Sequence, residues 1–145
     1  MYKHLLVAVD GSLLSESAFK RALVFAKEMG ATLTLIRAIP EDHLLVYQAE
    51  MLGTTQAQHT DQARKNAQTY LENLEMEARH ALVPCNVMVT VNDHPHEAIV
   101  AAAQNQSCDL IIMGSHGRHG MTGFLLGSET QRVLARTRLP VLVYR

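Results

Sequence analysis

Short apolar runs and helical stripes alternate along the whole chain. His4–Val9 (HLLVAV) is continuous and apolar, as a strand buried on both faces should be. After Asp10-Gly11-Ser12, apolar residues recur at Leu14, Ala18, Ala22, Phe25, Ala26 and Met29, a helical stripe that Gly30 ends. Ala31–Ile39 reads as a second strand, and Pro40–Gln56, which has no clear period, as a surface excursion. From about Ala57 a long helix carries Ala63, Ala67, Tyr70, Leu71, Leu74, Ala78 and Ala81 on one side, and Pro84 closes it. Cys85–Val91 alternates with period two, which suits a strand near a sheet edge. Pro95 fits the first turn of a third helix, with Ile99, Val100 and Ala103 facing inward. Asp109–Met113 is a fourth strand and Ser128–Arg136 a fourth helix, its Ser128 and Gln131 spaced as a capping box. Leu139–Tyr144 is the last strand.

Strands joined by helices predict an α/β fold: a five-stranded parallel sheet with right-handed crossovers and helices on both faces, a three-layer α/β/α sandwich. Ligands of such sheets sit beyond the carboxyl ends of the strands, here the loops after Val9, Ile39, Val91 and Met113. The 145 residues suit one domain spanning 1–145.

Composition narrows the function classes. Thirteen basic against fourteen acidic residues give a net charge of −1, which argues against a general nucleic-acid or anionic-membrane binder. No apolar run approaches the roughly 20 residues of a membrane span. Cys85 and Cys108 lie beside strand-like runs in no CxxC arrangement, so both are expected as reduced, packed thiols. The segment MYKHLLVAVDGS reads as a strand and turn rather than a signal peptide, and a cytoplasmic location is expected.

Five of the eight glycines (Gly114, Gly117, Gly120, Gly123 and Gly127) fall in one stretch between the fourth strand and the fourth helix. Glycine lets backbone approach a ligand closely, and a helix N-terminus adds free N–H groups and partial positive charge, so the segment is suited to phosphate. Arg118, His116 and His119 could add positive charge. No lysine precedes Ser128 as a Walker A loop requires, and the turn after the first strand lacks GxGxxG.

The spacing Gly114-x2-Gly117-x9-Gly127-Ser128 resembles the G-x2-G-x9-G-[ST] signature of the ATP-binding branch of the universal stress protein family. The resemblance covers nearly the whole chain: VAVDGS after the first strand, a Pro-containing turn within Asp93–Ile99, DLIIMGSHGR before the loop, and a terminal PVLVYR. It implies a Rossmann-like sheet in the order 3-2-1-4-5, similar to that of the adenine nucleotide α-hydrolases. It also implies ATP, ADP or AMP as ligand, with or without Mg2+. By motif, Asp10 and the Ala8-Val9 backbone would meet adenine or ribose, and Ala38 would meet adenine through its main chain. Met113, Gly114, His116 and Gly117 would line ribose and α-phosphate, and Gly127, Ser128, Glu129 and Thr130 would hold the outer phosphates. The family commonly dimerises through its last strand, which implies a homodimer through Val141–Tyr144.

Glu129 departs from the apolar residue many ATP-binding members carry there. Either a cation or an outward rotamer separates it from a triphosphate, or it serves the helix dipole. His94, His96, His116 and His119 could suggest a metal, but in this strand order their loops leave strand ends roughly 14 Å apart. Solvated or phosphate-facing histidines are therefore expected. Asp10 is open to a role as general base, as metal ligand or as an Asx-type cap. No residue is an evident water-positioning base, so ATP hydrolysis is expected to be slow at most. Two other readings use the same residues: a nucleotide-hydrolysing enzyme built on Asp10 and a divalent metal, or a dimeric interaction protein that binds no nucleotide.

Overall fold

In the computed structural model, residues 1–41, 51, 53, 56–117 and 125–145 are described. Most of the Pro40–Gln56 stretch therefore lies outside the described residues, as do Arg118, His119, Gly120 and Gly123. Strands and helices alternate as β1 (His4–Ala8), α1 (Leu13–Met29), β2 (Thr32–Ile39), α2 (Gln56–His80), β3 (Cys85–Val91), α3 (Pro95–Asn105), β4 (Leu110–Gly114), α4 (Ser128–Arg136) and β5 (Val141–Tyr144). The five strands form one parallel sheet in the order β3-β2-β1-β4-β5.

The sheet is apolar on both faces, which explains the continuous runs in the central strands. Leu5 and Val7 of β1, Leu33 and Leu35 of β2, and Leu110 and Ile112 of β4 pack with Phe19, Ala22 and Ala26 of α1 and Leu71 and Ala78 of α2. The alternate residues Leu6, Ile36, Ile111 and Met113 turn to the other face, against Ala98, Ile99 and Ala102 of α3 and Val133 of α4. Chain direction sorts the helices: crossovers running from β1 towards β3 place α1 and α2 on one side, and the return through β4 to β5 places α3 and α4 on the other. Phe19, Leu35 and Ile111 are fully buried, each worth about 1.5–3 kcal/mol of transfer free energy.

Element ends depart from the sequence reading in two places. Helix α1 stops where expected, with Gly30 in the left-handed region at φ 64°. Helix α2 ends before Pro84 acts: Leu82 takes φ 62°, so that its N–H reaches Arg79 O (3.0 Å) and the Val83 N–H reaches Ala78 O (3.0 Å). Those two bonds satisfy the final carbonyls at a position where no glycine announces the turn. The capping box expected at Ser128 is not formed. Gly127 is the N-cap, Ser128 already lies inside the helix, and Gln131 instead donates its side-chain N–H to Leu126 O (2.7 Å). A box needs its serine one residue before the helix, and here a glycine holds that place.

Candidate functional site

The row of side chains facing α3 and α4 shrinks toward the carboxyl ends of the strands. Leu6 is followed two residues on by Ala8, and Ile36 by Ala38. The space left by those alanines opens a cavity of about 660 Å3, within the size range of small-molecule sites. Ile36, Ala38, Ile39, Pro40, Ile99 and Met113 supply apolar wall, and Asp10, His116 and the loop backbone its polar end. All twelve candidates line this one cavity: Ala8, Val9, Asp10, Ala38, Met113, Gly114, His116, Gly117, Gly127, Ser128, Glu129 and Thr130.

Asp10 is fixed by local turn chemistry. Its Oδ1 accepts the Ser12 N–H (2.9 Å), and the Ser12 hydroxyl in turn caps α1 by accepting the Ser15 N–H (3.2 Å). The Asx-type turn is therefore present. Asp10 Oδ2 lies against the Gly117 backbone, where an added Cβ would stand 2.5 Å from it. The turn after β1 and the loop after β4 thus close on each other only because residue 117 has no side chain.

The two ends of the glycine-rich segment are also tied together. The Gly127 N–H donates to Ser115 O (2.7 Å), and the Thr130 hydroxyl donates to both Gly114 O (3.0 Å) and Ser115 O (3.1 Å). A Cβ on Gly127 would meet His116 Cα at 3.0 Å and Ser115 O at 3.1 Å. Close packing of one loop end on the other is sufficient reason for glycine there. The Thr130 side chain is thus spent on the fold. The first intrahelical bond of α4 runs from the Gln131 N–H to Gly127 O (3.1 Å). The N–H groups of Ser128, Glu129 and Thr130 precede it at the cavity's polar end, in the geometry that suits an anion.

Two expectations about polar residues are corrected. His96 is neither solvated nor aimed at a phosphate: it is 4% exposed, and Glu129 holds it. Glu129 Oε2 accepts both the His96 backbone N–H (2.8 Å) and a bond to the ring Nδ1 (2.8 Å), while Oε1 accepts from Arg132 Nη1 (2.6 Å). Burial pushes the Glu129 carboxyl up, but the bonds from the His96 ring, its backbone N–H and Arg132 outweigh that and hold it below its ordinary value. The acidic residue is thus more than a partner of the helix dipole. It joins the first turns of α3 and α4, a contact between residues 33 apart in sequence. Both helices lie on the same face of the sheet, and their first turns meet although β3 and β4 are not neighbours. That meeting could have been read from strand order together with crossover handedness.

Asn92 also lines the cavity and carried no motif. Among the described residues no group of three or more His, Cys, Asp and Glu side chains is placed to hold a metal ion. Nor is any described helix long and apolar enough to cross a membrane.

The profile of the universal stress protein family matches residues 1–145. The chain belongs to that family. The universal stress protein MJ0577 of Methanocaldococcus jannaschii is 30% identical over 156 aligned positions, covering 100% of this chain and 96% of that protein. Its solved structure superposes with a TM-score of 0.84 over 99% of this chain and 96% of the other. Two further universal stress protein structures share the fold: one in complex with cAMP (24% identical, TM-score 0.67, covering 99% of this chain and 97% of that one) and one from Archaeoglobus fulgidus in complex with dAMP (19% identical, TM-score 0.68, covering 99% and 98%).

Proposed function

We propose that this universal stress protein binds an adenine nucleotide (ATP, ADP or AMP, with or without Mg2+) in the cavity beyond β1, β2 and β4. In this reading it is a one-domain, cytoplasmic, homodimeric stress-response module with at most slow hydrolysis. The observation that carries the proposal is the convergence of a 660 Å3 apolar slot, a carboxylate and a glycine-lined helix N-terminus in one cavity. Adenine fits between Ala38, Ile39 and Ile99, ribose hydroxyls reach the Asp10 carboxylate, and phosphate meets the N–H groups of Gly127, Ser128 and Glu129. The cAMP and dAMP complexes of structural relatives support an adenine nucleotide in particular. Mg2+ would accompany the phosphates, with the Asp10 carboxylate in the wall of the same cavity.

Slow turnover follows from how the carboxylates are used. Asp10 Oδ1 already accepts a turn N–H, and both Glu129 oxygens are taken by His96 and Arg132. Efficient phosphoryl transfer needs a group that positions the attacking water, and neither carboxylate is poised for that work. Thermal-shift titration with ATP, ADP and AMP tests the binding. At a ligand concentration of 100 times Kd, stabilisation of about 2.7 kcal/mol is expected. For this length that is a rise of about 8 °C. Protein shown to carry no nucleotide, and whose melting none of the three displaces, would refute the proposal. Initial-rate phosphate release distinguishes a binding module from an ATPase.

A further inference from the structure

We propose that Glu129 makes this site select nucleoside monophosphates over ATP by placing a fixed carboxylate where the outer phosphates must lie. The proposal rests on the nucleotide-binding reading above and deepens it. Glu129 is the second residue of α4 and lines the cavity beside Gly127 and Ser128, at the end where the helix N–H groups gather. A single phosphate needs only the loop backbone and the first helical N–H groups. Each further phosphoryl adds negative charge and extends along the helix end toward the carboxylate.

Three donors keep that carboxylate from swinging away. His96 contributes its backbone N–H and its ring nitrogen, both at 2.8 Å, and Arg132 contributes a guanidinium N–H at 2.6 Å. His96 is 4% exposed, so a rotated Glu129 would strand a buried imidazole and a buried N–H. Glu129 also engages Arg132, a cation one turn along the same helix, in an ion pair. The next arginine, Arg136, faces Glu97 at 3.3 Å, and His96 Nε2 lies 3.9 Å from the same carboxylate. The charged groups between α3 and α4 are thus matched among themselves, and the glutamate adds repulsion while holding the charge of Arg132 in an ion pair.

Calorimetric titration of AMP, ADP and ATP into nucleotide-free protein, in EDTA so that no cation masks the phosphates, tests this directly. The full chain is expected to bind AMP about tenfold more tightly than ATP, the scale of one like-charge contact at a partly exposed site. Glu129→Gln keeps an acceptor for His96, removes the charge and releases Arg132, and is expected to bring the ATP-to-AMP affinity ratio to within about threefold of unity. ATP bound as tightly as AMP by the unaltered protein would overturn the proposal, and so would a ratio that E129Q leaves unchanged. The unaltered protein's ratio decides the matter alone if the variant does not fold. Absence of binding by all three nucleotides would instead overturn the nucleotide reading on which the proposal stands.

Discussion

The Thr130 hydroxyl sits between two carbonyls at the end of β4 and ties them to the first turn of α4. It is 2% exposed, so those carbonyls have little access to water as a substitute. Thr130→Val keeps the shape and deletes both bonds, and is expected to destabilise the fold by about 1–3 kcal/mol. Urea unfolding should show a lowered midpoint with an unchanged slope. Thr130→Ser, which retains the hydroxyl, should recover most of the loss. Equal stability of the valine and threonine proteins would mean the hydroxyl does not hold the loop. Sequence motif placed Thr130 among phosphate contacts, and the cavity does include it, but its side chain serves the scaffold. Glu129 was legible as a departure from pattern. Its partner His96 was not, because hydrogen bonds between residues 33 apart leave no mark in local spacing.

Elements were legible wherever burial imposed a period. The central strands, covered on both faces, gave unbroken apolar runs, and β3 at the sheet edge gave alternation. Helix ends were read less well, since Leu82 and Ser107 adopt positive φ without glycine and Gly127 took the cap assigned to Ser128. Strand β5 occupies the opposite edge and carries the proposed dimer contact. Its hydrogen bonding to β4 uses alternate residues: Ser115 N–H donates to Tyr144 O (2.6 Å) and Ile111 N–H to Pro140 O (3.0 Å). Residues 140, 142 and 144 therefore face β4, and the backbone groups of Val141 and Val143 face the open edge. Val143→Pro removes an outward N–H while sparing the β4 ladder. The proposed homodimer should become a monomer in sedimentation velocity, with its far-ultraviolet circular dichroism retained. A dimer that survives the substitution would place the interface elsewhere.

At the scale of the molecule, the two thiols lie at the end of the sheet away from the cavity. Cys85 begins β3, and Cys108 precedes β4. The end of the sheet that carries the cavity was legible because a parallel sheet joined by crossovers must gather its loops at the strands' carboxyl ends. The cavity's shape was not, since it depends on Ala8 and Ala38 following bulkier residues on one face, visible only once the faces are assigned. Remote position makes Cys108, 5% exposed, a reporter of opening rather than of ligand contact. Burial first, and then the neighbouring Asp109, raises its thiol from 9.0 to about 11, and burial with Glu75 raises Cys85 to about 12. Each thiol stays neutral in the fold at a pH where the unfolded chain would ionise it. The associated stability is complete below pH 9.0 and is lost as pH rises through about 11 and about 12. At pH 8, reaction of Cys108 with a disulfide reagent should wait on unfolding, because the folded thiolate is scarce and covered. If opening is global and the cavity binds nucleotide, ligand at 100 times Kd lowers the open population about a hundredfold, and labelling of Cys108 slows by the same factor. Mass spectrometry of the labelled chain reads that rate. Labelling of Cys108 that nucleotide leaves unchanged, while the melting temperature rises, would show that the α3–β4 connection around Cys108 opens locally without disturbing the site.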